Sequence, residues 1–176
     1  MASDTRDRIL RAARGLFTQK GVQKTSLQDI AEELGITKPA LYYHFASRED
    51  LLRAFVLPLI EGGQRFLEEQ ERAAPVDPRA LLEGFFDFNY DHSRDIWVLL
   101  SEMSTLAELG MVDVVLAWRI RLGELLFGPN PPLTQATRAV MALGGLQDCT
   151  MQFMDEPRDE LRKAAVDAAM ATLGLA

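Results

Sequence analysis

Thr25-Ser26-Leu27-Gln28-Asp29-Ile30-Ala31-Glu32-Glu33-Leu34-Gly35-Ile36-Thr37-Lys38-Pro39-Ala40-Leu41-Tyr42-Tyr43-His44-Phe45 is the stretch that decides the fold. Thr25 with Gln28 three positions on is the pattern of a capping box, in which each side chain satisfies a backbone N–H of the other at a helix start. Leu27, Ile30, Ala31 and Leu34 recur at three- and four-residue spacing, which predicts one buried helix face. Gly35 falls just past them, where a left-handed residue ends a helix and glycine adopts that conformation freely. Thr37 then caps a second helix, with Pro39 in its first turn, where the missing N–H costs nothing. Leu41 and Phe45 face inward, leaving Lys38, Tyr42, Tyr43 and His44 to face out. A segment this small does not bury so many polar aromatics. Two helices joined by a short glycine turn make a helix-turn-helix, whose second helix enters the major groove of DNA.

Outward from that unit the chain reads as helix throughout. Ile9, Ala13, Leu16 and Phe17 mark a helix over 5–20 that ends at Gly21 and completes a three-helix unit. Ser47 with Asp50 predicts another capping box, opening a long helix to about residue 73. Pro58 lies in its interior, where it removes a hydrogen bond and is expected to kink the rod. The segment 73–78 is a linker ending in an N-cap and a first-turn proline. Further helices are expected over 78–92, 95–108, 111–127, 132–155 and 157–173, separated by Gly110 and by the run Gly128-Pro129-Asn130-Pro131-Pro132. No strand pattern, repeat or low-complexity tract interrupts them. The expected fold is all-α.

Thr25, Ile30, Ala31, Gly35, Leu41, Tyr42, His44, Phe45 and Leu51 together resemble the DNA-binding domain of the TetR family of transcriptional regulators. The resemblance covers roughly the first 55 residues without a gap. The rest has only the helical texture and length of that family's second domain. Arg48 stands where the family usually has Lys, and Thr37 where it often has Ser; both keep the donor or capping chemistry. The resemblance implies a helix-turn-helix DNA-binding domain over 1–53 and a C-terminal helical effector-binding and dimerisation domain over 54–176. Thr25, Ser26 and Arg48 would lie beside helix N-termini that offer N–H groups to phosphates. Tyr42 and His44 resemble the family's phosphate contacts. Thr37, Lys38, Pro39, Ala40 and Tyr43 complete the DNA-binding set. Lys38 can donate to guanine acceptors, and the carbons of Pro39 and Tyr43 can meet a thymine methyl. The bland alternative for Tyr42, Tyr43 and His44 is ordinary helix surface.

Net charge is −7, at first sight wrong for a partner of a polyanion. Its distribution answers the objection. Residues 1–53 carry +2 and residues 54–176 carry −9, and affinity for DNA follows local charge rather than the total. Charges interrupt every apolar run before membrane-spanning length, and the N-terminus has no signal-peptide core, so a cytoplasmic protein is expected. The single cysteine, Cys149, allows no internal disulfide and reads as a core residue. With only His44 and His92, no phosphate-binding glycine loop and no metal-ligand spacing, the sequence offers no catalytic constellation, and neither a cofactor nor a metal is expected.

Two further surfaces are expected in the second domain. An aromatic- and Met-rich set with polar anchors, drawn as Phe85, Phe88, Asn89, Trp97, Met103, Trp118, Met141 and Phe153, would line a cavity for a small hydrophobic or amphipathic effector. For any one of these residues, ordinary core is the competing reading. Val140, Leu143, Gly144, Leu146 and Met151, with Leu161, Ala164, Ala165, Ala168 and Thr172, place small and apolar side chains along two helices. In a homodimer they would form a four-helix bundle. A dimeric reader implies double-stranded DNA with an inverted-repeat operator. The expected function is a repressor released from that operator by its effector. The alternative is a DNA-binding regulator with no small-molecule effector, controlled by a protein partner or constitutive.

Overall fold

The computed structural model describes residues 2–100, 107 and 110–175. Its helices are α1 (Ala2–Lys20), α2 (Leu27–Glu33), α3 (Lys38–His44), α4 (Arg48–Arg72), α5 (Pro78–Asp91), α6 (Ser93–Leu100), α7 (Met111–Phe127), α8 (Leu133–Gln152) and α9 (Arg158–Leu173). No strand occurs among the described residues, and none of their helices is long and apolar enough to cross a membrane. The expected all-α fold is therefore what forms. Of the helix expected over 95–108, the described part is α6, which begins two residues earlier.

The chain separates into two compact units. One comprises Met1–Leu59 with Arg94–Leu109, and the other Ile60–Ser93 with Gly110–Ala176. Residues 54–59 and the described part of 94–109 thus group with the helix-turn-helix. α4 is covalently shared, its first half in one unit and its second half in the other. It runs as one helix although Pro58 lies within it, leaving the Ala54 carbonyl without its usual intrahelical donor.

In the first unit Ile9, Ala13, Leu16 and Phe17 of α1 are buried as their spacing predicts, and Phe17 meets Phe55 of α4 with ring centroids 5.7 Å apart. α6 is tied to α1 by charge. Arg14 Nη2 donates to Asp95 Oδ2 at 2.9 Å, Arg14 Nε lies 2.5 Å from Asp95 Oδ1, and the guanidinium also covers the Phe55 ring.

The core of the second unit is built from α5, α8 and α9, with the C-terminal halves of α4 and α7 against it. Leu81, Leu82, Phe86, Leu143, Leu146, Val166 and Leu173 are essentially inaccessible there. Asp77 caps α5 by accepting from the Ala80 amide at 2.7 Å, with Pro78 in the first turn.

Outside this core an ionic lattice joins α5 to α9. Arg162 reaches Glu83 and Asp87, and Arg158 reaches Asp87 and Asp91. Burial pushes the Asp87 carboxyl up, but hydrogen bonds from Arg162 and Arg158, reinforced by their charge, outweigh it and leave it below the ordinary carboxylate value. A carboxyl depressed on folding stabilises above its unfolded pKa, and that contribution fades as pH falls through the folded one. Because water screens these partly exposed groups, Asp87→Asn is expected to cost only about 1 kcal/mol at neutral pH. The cost should shrink below about pH 4. Urea unfolding of both proteins across pH 2–7 reads this out, and a gap independent of pH would contradict it.

Candidate nucleic-acid interface

α2 begins one residue later than its sequence pattern suggests. Ser26 is the N-cap: its hydroxyl accepts from the Asp29 amide at 3.1 Å, while Asp29 accepts from the Ser26 amide at 2.7 Å. The capping box is Ser26 with Asp29, which corrects the expected Thr25 and Gln28 pair. Gln28 instead reaches forward along the exposed face to Glu32 at 2.7 Å. The Ser26 hydroxyl and backbone hold the Asp29 carboxyl below its ordinary range, with help from Lys20 at 3.7 Å.

Thr25 is 4% exposed, and its hydroxyl donates inward to the Gly21 carbonyl at 2.9 Å. Its amide is also committed, to the Val22 carbonyl. Both donors of Thr25 are thus turned toward the α1–α2 turn. The threonine holds the turn between α1 and α2, and the exposed Ser26 hydroxyl beside it donates to Asp29 Oδ2 at 2.6 Å. Ser26→Ala is expected to cost about 1 kcal/mol of stability, the usual worth of an N-cap; thermal unfolding checks it, and an unchanged Tm would show that the box contributes nothing.

Gly35 takes a φ of +62° and turns the chain into α3. Thr37 caps α3 by accepting from the Ala40 amide, and Pro39 sits in the first turn. Leu41 at 0% exposure and Phe45 at 2% are the anchors beneath the helix. Their burial sets the rotation of α3, so Lys38, Pro39, Ala40, Tyr42 and Tyr43 are all exposed and His44 is half-buried. Tyr43 protrudes most, at 84%. The Lys38 ammonium lies 5.8 Å above the Tyr42 ring, an i, i+4 pair that restrains both. Tyr43 and His44 meet edge to face at 5.2 Å. Arg6 of α1 covers the Phe45 ring at 5.0 Å, bringing a guanidinium to the end of α3. Arg48 is half-buried in the first turn of α4. The outcome is a short convex helix with N–H and O–H donors, an ammonium and apolar ring edges on one face. Such a surface offers donors to phosphates and base edges and carbon to thymine methyls.

The residues expected to line an effector cavity do not all come together. Phe85, Phe88, Asn89 and Trp118 belong to the second unit, where Phe88 stacks with Phe66 at an interplanar angle of 14° and Phe66 meets Phe85. Asn89 is buried and donates to the Phe85 carbonyl at 2.7 Å. Trp97 sits on α6 in the first unit and is 56% exposed. Met141 and Phe153 point to solvent, at 67% and 46% exposure. The rotation of α8 that buries Ala142, Leu143 and Leu146 turns Met141 outward, so neither it nor Phe153 lines an interior cavity here. Met103 lies outside the described residues.

The expected dimer set divides in the same way. Leu143, Leu146, Leu161 and Ala165 are spent in this chain's own core. Their spacing marked a buried face, and it is the intramolecular one. Val140, Ala164 and Ala168 are exposed, and Gly144, Met151 and Thr172 are half-buried.

Two contacts escaped the sequence reading. Trp118 Nε1 donates to Gln64 Oε1 at 3.1 Å, and a Cβ on Gly63 would lie within 2.7 Å of Trp118 Cη2. The adjacent glycines Gly62 and Gly63 inside a long helix were the available signal of close approach; nothing local pointed to Gln64.

With that geometry in view, comparisons with known proteins are informative. A family model described as bacterial regulatory proteins, tetR family, matches residues 9–55, which span α1 through the first third of α4. The transcriptional regulator TtgR of Pseudomonas putida is 38% identical over 77 residues, covering 44% of this chain and 37% of TtgR. The chain spans between about a third and a half of the length of the curated relatives it matches. Among solved structures, a transcriptional regulator of the TerR/AcrR family from Aquifex aeolicus superposes with a TM-score of 0.76 at 21% identity, covering 95% of this chain and 98% of that one. The TetR-family regulator PfmR of Thermus thermophilus gives 0.69 at 27% identity, covering 93% and 97%. The sequence likeness is thus concentrated where the exposed face of α3 lies, and the likeness of fold extends over nearly the whole chain.

Proposed function

We propose that this chain, which belongs to the TetR family of bacterial regulatory proteins, is a repressor that holds an inverted-repeat operator as a homodimer and lets it go when a small molecule binds the second unit. The observation that carries the reading is the surface of α3. Leu41 and Phe45 lock it from below, and Lys38, Tyr42 and Tyr43 are left in water with nothing in the chain to bury them. Thr37 and Arg48 flank it at helix N-termini, the positions from which phosphates are held.

One α3 touches few base pairs, so useful affinity requires two copies a helical turn apart, about 34–36 Å. The outer faces of α8 and α9 supply the means. Val140 and Met141 on one, with Ala164, Ala168 and Ala171 on the other, form an exposed apolar and small-residue surface. A two-fold axis would stack it on itself as a four-helix bundle. The effector reading rests on the half-buried aromatic group of the second unit and names a small hydrophobic or amphipathic molecule. To act as a switch, such a molecule must favour the released state by about 1–3 kcal/mol or more. A cytoplasmic location and the absence of enzymatic turnover belong to this same proposal.

The competing reading, a regulator without an effector, draws on the close packing of Phe88 and Trp118 on α4. It expects operator binding that no small molecule loosens.

Selection of bound sequences from a random duplex pool, with purified protein at physiological salt, tests the core of the proposal. An enriched inverted repeat is the expected result. A folded protein that enriches no sequence would overturn it.

A further inference from the structure

The second unit holds an unusual packing device. Gly62, Gly63 and Gly84 each have an aromatic ring where a side chain would begin: a Cβ at Gly62 would lie 3.0 Å from Phe88 Cε2, and one at Gly84 would lie 2.9 Å from Phe66 Cε2. The tightest is Gly63, whose Cβ would fall inside van der Waals contact with three atoms of the Trp118 six-membered ring, including 2.7 Å to Cη2 and 3.0 Å to Cε3. The backbone of α4 is thus the floor of a flat slot, and the Trp118 indole fills it. At the open side of the slot Trp118 Nε1 donates to Gln64 Oε1 at 3.1 Å.

Gln64 is not free to turn over, because its Nε2 donates to Glu68 Oε1 at 2.7 Å. Its oxygen is therefore fixed toward the slot, where it accepts and does not donate. Whatever lies this close on the Gly63 backbone must be flat, and to pair the Gln64 oxygen it must bring a donor. Trp118 itself is only half-buried, as are Phe66 and Phe88, so the group is open to solvent on one side rather than sealed in the core.

We propose that the Gly63 slot is a ligand site occupied by the chain's own Trp118, and that it takes a planar bicyclic aromatic molecule with a ring N–H or O–H, neutral or cationic, which displaces the indole and donates to Gln64. The inference rests on the effector reading above and gives it a chemical class. Displacement exchanges one half-buried ring and one hydrogen bond for equivalent ones, so a ligand gains affinity only from the contacts it makes beyond those of the indole. The Glu68 carboxylate next to the amide disfavours anions.

Indole is the probe, and benzothiophene, which has the same shape without the N–H, is its control. Trp118→Ala vacates the slot. At one hundred times its Kd, indole should raise the Tm of this variant by about 5–10 °C, with benzothiophene binding about tenfold more weakly because it leaves the Gln64 oxygen unpaired. In the 176-residue chain labelled with 5-fluorotryptophan, Trp97→Phe leaves Trp118 as its one fluorine signal. Indole should move that signal saturably, and Gly63→Ala should move it without ligand and abolish the response. A folded Trp118→Ala variant indifferent to indole overturns the proposal; if that variant does not fold, a fluorine signal unmoved by saturating indole does so instead. Equal binding of the two probes overturns the donor requirement. A signal that moves while operator binding stays unchanged leaves the slot standing and removes the effector reading.

Discussion

Ala168→Arg is expected to yield a folded monomer that has lost the operator. Ala168 lies on the outer face of α9 between Ala164 and Ala171, all three exposed, while the opposite face of the helix is spent on Leu161, Ala165, Val166 and Ala169 in the core. A long charged side chain at that point projects into water in the monomer and disturbs no internal contact. Across a two-fold interface it meets a bulky neighbour and, near the axis, its own copy, so steric and like-charge penalties are both incurred twice. Losing the second reading head removes the gain from tethering, which is commonly 10²–10⁴-fold. Affinity for the inverted repeat should fall by about that factor while affinity for an isolated half-site is unchanged. Sedimentation gives the mass and a titration with full and half operators gives the affinities. A variant that remains dimeric and binds normally would move the interface elsewhere.

Tyr43→Ala carries the second large effect. At 84% exposure the ring is the most solvent-exposed aromatic side chain among the described residues of the first unit, and it meets the edge of His44. Removing it should change stability by no more than about 0.5 kcal/mol, as for other surface changes. Loss of contact with a base edge or thymine methyl is worth about 1–3 kcal/mol, or about 5–150-fold in operator affinity. Tyr43 is uncharged, so the dependence on salt should stay as it was; Lys38→Ala, by contrast, should reduce the salt slope by about one. Anisotropy titrations at several salt concentrations separate the two. If Tyr43→Ala binds its operator as the parent does, Tyr43 is not on the reading surface.

The helices were legible because their ends carry strong local chemistry. Gly35, Thr37 with Pro39, and Asp77 with Pro78 all occupy the positions their backbone roles predict. The start of α2 was misplaced by one residue because Thr25 and Ser26 are adjacent hydroxyl residues. Which of them caps is decided by burial of Thr25 against α1, a tertiary fact. The exposed face of α3 followed from Leu41 and Phe45 alone. On α8 and α9 the periodicity identified a buried stripe but could not say whether it was buried within the chain or against a second copy. Leu143 and Leu161 lie in the chain's own core, and Met141 faces out from its helix. Gln64 and Trp118 are 54 positions apart, and no local rule joins residues at that distance.

The ion pair between Arg14 and Asp95 bears on how such regulators are recombined. Consider a chimeric sensor made by a single crossover after the DNA-reading segment, at the unit boundary behind Leu59. Here that cut separates α1 from the helix that supplies its carboxylate, since Asp95 lies 81 positions downstream of Arg14 and inside the same compact unit. A transplanted head would arrive with its guanidinium facing whatever the recipient carries at the matching position of its own sixth helix. Grafts from this protein should therefore work when the recipient provides an acid there, or when α6 travels with the head as a second inserted segment. The unit of exchange is two pieces of chain rather than one.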